Sequence, residues 1–181
     1  KALRPKGFPE WLGNDFFLIG YRVFVRYTNQ AGRNLRGLYI LKSETDKKKM
    51  EFFGNIFTHY NYATTDIHQS ARDGISEISS VKSGFNLRVE TADDDHIPLP
   101  IGSPFADWKE ARRYAGPLPF TFTYNPAKHE VLIIEGVREN WKPMAVNVLD
   151  HHFSFIDDLK IPEARLANAF IIRKIPKKKK K

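Results

Sequence analysis

The pattern that most restricts this chain has a period of two. In FLIGYRVFVRY (17–27), Tyr21, Val23, Val25 and Tyr27 share one parity, and Arg22 and Arg26 share the other. Successive side chains of a strand point to opposite faces, so this parity predicts a half-buried β-strand. NQAGRN follows as a turn and RGLYIL (36–41) returns as the partner strand. The period recurs in FNLRVE (85–90), FTFTY (120–124), VLIIEGV (131–137), AVNVLDHHFSFI (145–156) and RLANAFIIRKI (165–175). YATTDI and ISEIS flank RDG, where Gly74 is free to take positive φ and close a hairpin. This amounts to roughly eight to ten strands.

Two helices interrupt the strands. Ser43 heads SETDKKKMEFFG, with Asp46 three residues on and Gly54 as its stop. Ser103 heads SPFADWKEARRYAG, with Pro104 in the first turn and Gly116 at the end. The acidic, proline-rich TADDDHIPLPIGSP before it reads as a surface loop. Neither a repeat nor a shift in composition divides the chain. The expected architecture is therefore one mainly β (α+β) domain over residues 1–176. Its antiparallel strands close into a β-barrel, which removes exposed edges, and two short helices pack outside.

Composition excludes several functions. The chain has no cysteine, so disulfides, thiolate nucleophiles and zinc–thiolate centres are ruled out, and a reducing, cytoplasmic setting fits. No run approaches the roughly 20 apolar residues of a membrane span, and there is no secretory signal. Fourteen phenylalanines point to a bulky, sheet-based interior. Seven of the net +8 charges sit in Arg173, Lys174 and Lys177 to Lys181; without them 22 basic groups face 21 acidic ones. The lysine run 177–181 reads as a solvated or artificial end, with weak attraction to nucleic acid or acidic surfaces as the rival reading. The chain opens on Lys1 rather than Met, which implies an upstream piece.

No phosphate loop, nucleophile elbow or H-E-x-x-H motif occurs. His151 and His152 are adjacent, and on a strand they point to opposite faces, which is poor geometry for one metal ion. No metal site or cofactor is expected. Glu135 shares its parity with Val131, Ile133 and Val137. A carboxylate on an apolar face needs a partner, and Arg138 follows three residues later. The pair reads either as a charged element of a pocket or as a structural ion pair, with a strand-end Glu reaching solvent as a further option. Arg22, Phe24 and Arg26 share a face, but one aromatic between two arginines makes a weak nucleic-acid platform.

Six stretches occur in a familiar order: ALRPKGFPEWLG (2–13), RGLYILKSETD (36–46), FGNIFTHYNYA (54–63), AGPLPFTFTY (115–124), IEGVRENWKPMAVNV (134–148) and ANAFIIRKIP (167–176). Together they resemble the DUF2071 family of uncharacterised bacterial proteins, related in fold to acetoacetate decarboxylase. The resemblance implies a closed, mostly antiparallel barrel around an apolar cavity. The decarboxylase branch uses a buried lysine beside a second lysine to form a Schiff base. The matching element here is GNIFTHY (54–60), where Thr58 and His59 stand in place of the lysine pair.

The resemblance thus turns His59 toward the cavity, as a general base or a hydrogen-bond partner for a carbonyl. The alternative is a histidine satisfied by backbone and packed by Tyr60 and Tyr62. The expected function is binding of a small, partly apolar keto or carboxylic acid. His59 and Tyr60 would stand at the mouth, Glu135 and Arg138 would be the charged pair, and Arg22 an anion-binding candidate. A lyase-like enzyme using His59 as acid or base is the rival, and homo-oligomerisation is left open.

Overall fold

The computed structural model of the chain describes residues 16–91, 97–114, 118–136 and 142–172. These form two compact units. One contains 16–67 and 118–136; the other contains the described residues of 68–114 and 142–172.

The first unit is built around strand β2 (Asn34–Thr45), which pairs antiparallel with β1 (Leu18–Thr28). The register slips between Tyr21 and Arg22, leaving Leu41 unmatched as a bulge. Strand β2 continues into helix α1 (Lys48–Thr58), and the chain returns as β3 (Tyr62–Thr64), parallel to β2 at Ser43 to Thr45. Lower on the same edge, β7 (Phe120–Asn125) runs parallel to Gly37 to Tyr39 of β2. It then turns antiparallel into β8 (Glu130–Glu135). Gly37 is needed here: a Cβ would lie 2.4 Å from both the Phe120 carbonyl oxygen and the Phe122 ring. The core holds Tyr21, Ile40, Tyr62 and Phe122.

The second unit carries an antiparallel sheet, ordered β10 (Asn147–Phe153), β6 (Phe85–Glu90), β5 (Ile75–Ser80) and β4 (His68–Arg72). The β4–β5 turn is Asp73–Gly74, both at positive φ (51° and 79°), as a two-residue hairpin requires. A two-stranded ribbon pairs β9 (Met144–Ala145) with β11 (Phe170–Ile171). Helices α2 (Trp108–Arg112) and α3 (Ser154–Asp158) are short. Trp108 donates its indole N–H to the Ile97 carbonyl and sets its ring edge-on to Phe170.

The closed antiparallel barrel is not what these residues form. The fold is mostly β with three short helices, and among the described residues the sheets are open. The larger sheet is also mixed, because α1 carries the chain back so that β3 runs alongside β2 rather than against it. Both helix starts fall later than the sequence suggests. Ser43 to Thr45 remain in β2, fully buried between β1 and β3, and α1 begins beyond Lys47 without a side-chain cap. Gly54 is not a stop but the buried middle of α1. Asp107, not Ser103, caps α2 by accepting from the Glu110 N–H; Ser103 instead donates to the Ala167 carbonyl. Of the strand read at 165–175, the described residues 165–172 form only Phe170–Ile171, and the strand read at 145–156 ends in α3.

Helix α1 is mounted in an unusual sense. Its polar side holds the outer edge of β3. Asn55 exchanges two hydrogen bonds with the Tyr62 backbone, and Glu51 Oε2 accepts from both the N–H and the hydroxyl of Thr64. The side chains of α1 thus act as an extra strand on an otherwise open edge. Phe52, Phe53, Ile56 and Phe57 face outward, each more than half exposed.

Candidate functional site

Helix α1 ends at His59, which takes the left-handed conformation (φ 51°, ψ 36°) and donates its N–H to the Asn55 carbonyl at 3.3 Å. Left-handed backbone disfavours a side chain by about 1–2 kcal/mol. It is held here because β7 fixes the helix end: Thr123 Oγ1 donates to the Thr58 carbonyl at 2.8 Å, and Thr58 Oγ1 to the Gly54 carbonyl at 2.6 Å. The His59 ring then lies next to β7, with Nε2 3.5 Å from Asn125 Nδ2. An amide N–H donating along this line requires unprotonated Nε2.

That ring lines an open cleft of about 660 Å³. Its other walls are the β1–β2 turn at Asn29 to Ala31, the β7–β8 turn at Lys128 and His129, and four consecutive β8 residues, Glu130 to Ile133. The turn is firm, since Asn29 Oδ1 accepts from the N–H groups of Ala31 and Arg33. Tyr27, Ala31, Phe57, Val131, Leu132 and Ile133 make the apolar part of the surface. Tyr124 Oη stands 3.0 Å from His129 Nδ1 and orients that second imidazole. The cleft therefore presents two imidazoles, the three carboxamides of Asn29, Gln30 and Asn125, the Lys128 ammonium and the Glu130 carboxylate beside apolar side chains.

The other candidates separate into different places. Tyr60 does not line the cleft. Its hydroxyl lies 2.5 Å from Thr121 Oγ1, which in turn donates to the Ile134 carbonyl. Arg22 folds across Gly20, where a Cβ would meet its Nε at 2.7 Å. Its charge reaches both Tyr60 and Tyr62. Burial pushes both phenols up, while the Thr121 hydrogen bond and Arg22 pull Tyr60 the other way. Arg22 and Tyr60 are thus brought together, and neither lines the cleft that His59 lines. Glu135 ends β8 opposite Phe120 and is exposed, reaching solvent from the strand end. Arg138 and Lys177 to Lys181 lie outside the described residues. His151 and His152 are exposed on β10, and His152 pairs with Ser154 and Asp157. Among the described residues no group of three His, Asp or Glu could hold a metal ion, and no helix is long and apolar enough to cross a membrane.

Sequence reasoning passed over Asn125, Lys128 and His129. They sit in NPAKH (125–129), a turn between two strand runs whose composition carries no site motif. It also passed over the buried carboxylate of Glu44, 2% exposed, whose Oε1 is 2.7 Å from Lys42 Nζ. Lys42 and Glu44 share a parity in LKSET, a signal that was available. Tyr21 packs there too, with Lys42 Nζ 5.9 Å from its ring centre. Burial first, and the Glu44 charge second, push its phenol up to about 12.

No protein-family model, no curated protein and no solved structure matches this chain.

Proposed function

We propose that this chain binds a small, partly apolar acid or keto acid in the cleft beside His59. One observation carries the reading: a histidine held in a costly left-handed conformation, next to the Asn125 amide, on the wall of a cleft of mixed polar and apolar lining. Its volume lies within the range of roughly 300–1,000 Å³ usual for small-ligand sites. The Asn125 amide and the Lys128 ammonium suit a carboxylate or carbonyl oxygen. Tyr27, Phe57 and Ile133 suit a hydrocarbon or aryl tail.

Binding, not Schiff-base chemistry, is the better fit. Lys128 is exposed and has no second lysine among the cleft residues, so it lacks the desolvation and the cationic neighbour that activate an amine nucleophile. The resemblance of GNIFTHY to the reactive element of the decarboxylase branch supports the same locus, with Thr58 and His59 in place of its amines. A cysteine-free chain of this kind suits the reducing cytoplasm.

The test is NMR titration of the histidine ring signals with phenylpyruvate and with butyrate. Saturable shifts at His59 and His129, lost in Lys128→Gln, are expected. Unmoved His59 signals at millimolar ligand would refute the reading.

A further inference from the structure

We infer that the outward face of helix α1 is a docking surface for an anionic lipid bilayer. At 3.6 residues per turn, Phe52, Ile56, Phe53 and Phe57 follow one another around an arc of about 140°, while Glu51, Gly54 and Asn55 occupy the opposite side. The inner side is spent on β3 through Asn55 and Glu51. The outer side exposes Phe52 by 62%, Phe53 by 52%, Ile56 by 52% and Phe57 by 71%. Phe53 touches Phe52 edge-on and lies parallel to Phe57, so the rings form one continuous patch. A patch of this kind on a soluble surface marks a contact site.

Charge identifies the occupant. Lys47, Lys48 and Lys49 are all exposed at the N-terminal end of α1, and Lys49 falls inside the aromatic arc. Cations at a helix N-terminus oppose the helix dipole, and among the described residues only Lys47 of the three forms an ion pair, with Asp46 Oδ2 at 3.2 Å. An anionic surface reverses that penalty. A second copy of the chain would instead bring another Lys48 and Lys49 against the same two lysines. Aromatic side chains with Lys49 among them and Lys48 at their edge match the chemistry of an interfacial helix, whose rings sink to the acyl boundary while the ammonium groups meet the headgroups.

The experiment is co-sedimentation of the full chain with vesicles of phosphatidylcholine alone, or with about one-third phosphatidylserine. The same measurement on a chain lacking Lys177 to Lys181 removes the contribution of the lysine run. Binding to the anionic vesicles alone is expected, persisting without the run. Phe52→Asp with Phe53→Asp should weaken it at least about tenfold, and Lys48→Gln with Lys49→Gln about fivefold per lysine. Neither Phe52 nor Phe53 lines the cleft, so phenylpyruvate titration of the aspartate variant should be unchanged and reports its folding. In Phe52→Trp, the added fluorescence should shift to the blue on anionic vesicles. Equal binding to neutral vesicles overturns the inference. So does loss of binding on deleting the lysine run alone, or an unshifted tryptophan. A lipid-free dimer that the aspartates dissolve assigns the face to a second copy and also overturns it.

Discussion

Asn55 and Tyr62 bind each other twice: Asn55 Nδ2 donates to the Tyr62 carbonyl at 2.9 Å, and Asn55 Oδ1 accepts from the Tyr62 N–H at 2.6 Å. One side chain thereby reproduces the pairing of a strand residue and sets the rotation of α1. Asn55→Ala leaves both backbone groups of a half-buried edge unsatisfied. It should destabilise the chain by about 2–3 kcal/mol in urea unfolding. Asn55→Asp keeps the acceptor and loses the donor, and should fall between. A neutral Asn55→Ala would mean that water replaces the amide at the β3 edge.

Gly54 faces the Tyr62 ring so closely that a Cβ would stand 2.5 Å from Cδ2 and Cε2. Helix propensity alone would make Gly54→Ala stabilising by about 1 kcal/mol. Overpacking of the ring should outweigh this and leave a net loss of about 1–2 kcal/mol. A raised thermal midpoint would show that the ring yields without strain.

His59→Gly removes the left-handed penalty at the end of α1. It should stabilise the fold by up to about 1 kcal/mol while abolishing phenylpyruvate binding. His59→Asn, which tolerates the same backbone, should keep wild-type stability and lose affinity. The proposal fails if His59→Gly binds phenylpyruvate as tightly as the original chain.

Tyr21 links stability to alkaline pH. Burial, with the Glu44 charge, pushes its phenol up to about 12 in the folded chain, above the ordinary 10.0. The raised value means that the folded state favours the protonated phenol. The associated stability is intact below pH 10 and is lost as pH rises toward 12. The loss is on the order of 2–3 kcal/mol. Urea midpoints followed from pH 9 to 12 should fall, and Tyr21→Phe should flatten that slope. An identical slope in the variant would remove Tyr21 as its source.

Glu44 is a buried carboxylate ion-paired with Lys42. Lys42→Met strips a charge partner and should cost about 3–5 kcal/mol, measured by urea unfolding at neutral pH. Lys42→Met combined with Glu44→Gln should recover much of that loss. If the single variant is silent, the pair is solvated rather than buried.

Alternation made β1, β2, β6, β7 and the Asp73–Gly74 hairpin legible, because each is a run whose neighbour in space is also its neighbour in sequence. It carries no information on direction. The parallel pairing of β2 with β3 and β7, and hence an open mixed sheet instead of a barrel, was out of reach. The helix in SETDKKKMEFFG was legible as a helix but not in its start, since Ser43 can cap a helix or end a strand, and two flanking strands decide for the strand. His59 was visible as a residue to watch. Its partner Asn125 was not, being 66 residues away across a parallel pairing.

Strand β2 is the only described strand with three partners: β1 along one edge, and β7 then β3 along the other. The first unit cannot come apart locally at that strand without releasing several ladders at once. In deuterium exchange its central amides, around Ile40 and Ser43, should be the last in this unit to label, and their opening free energy should approach that of unfolding the whole unit.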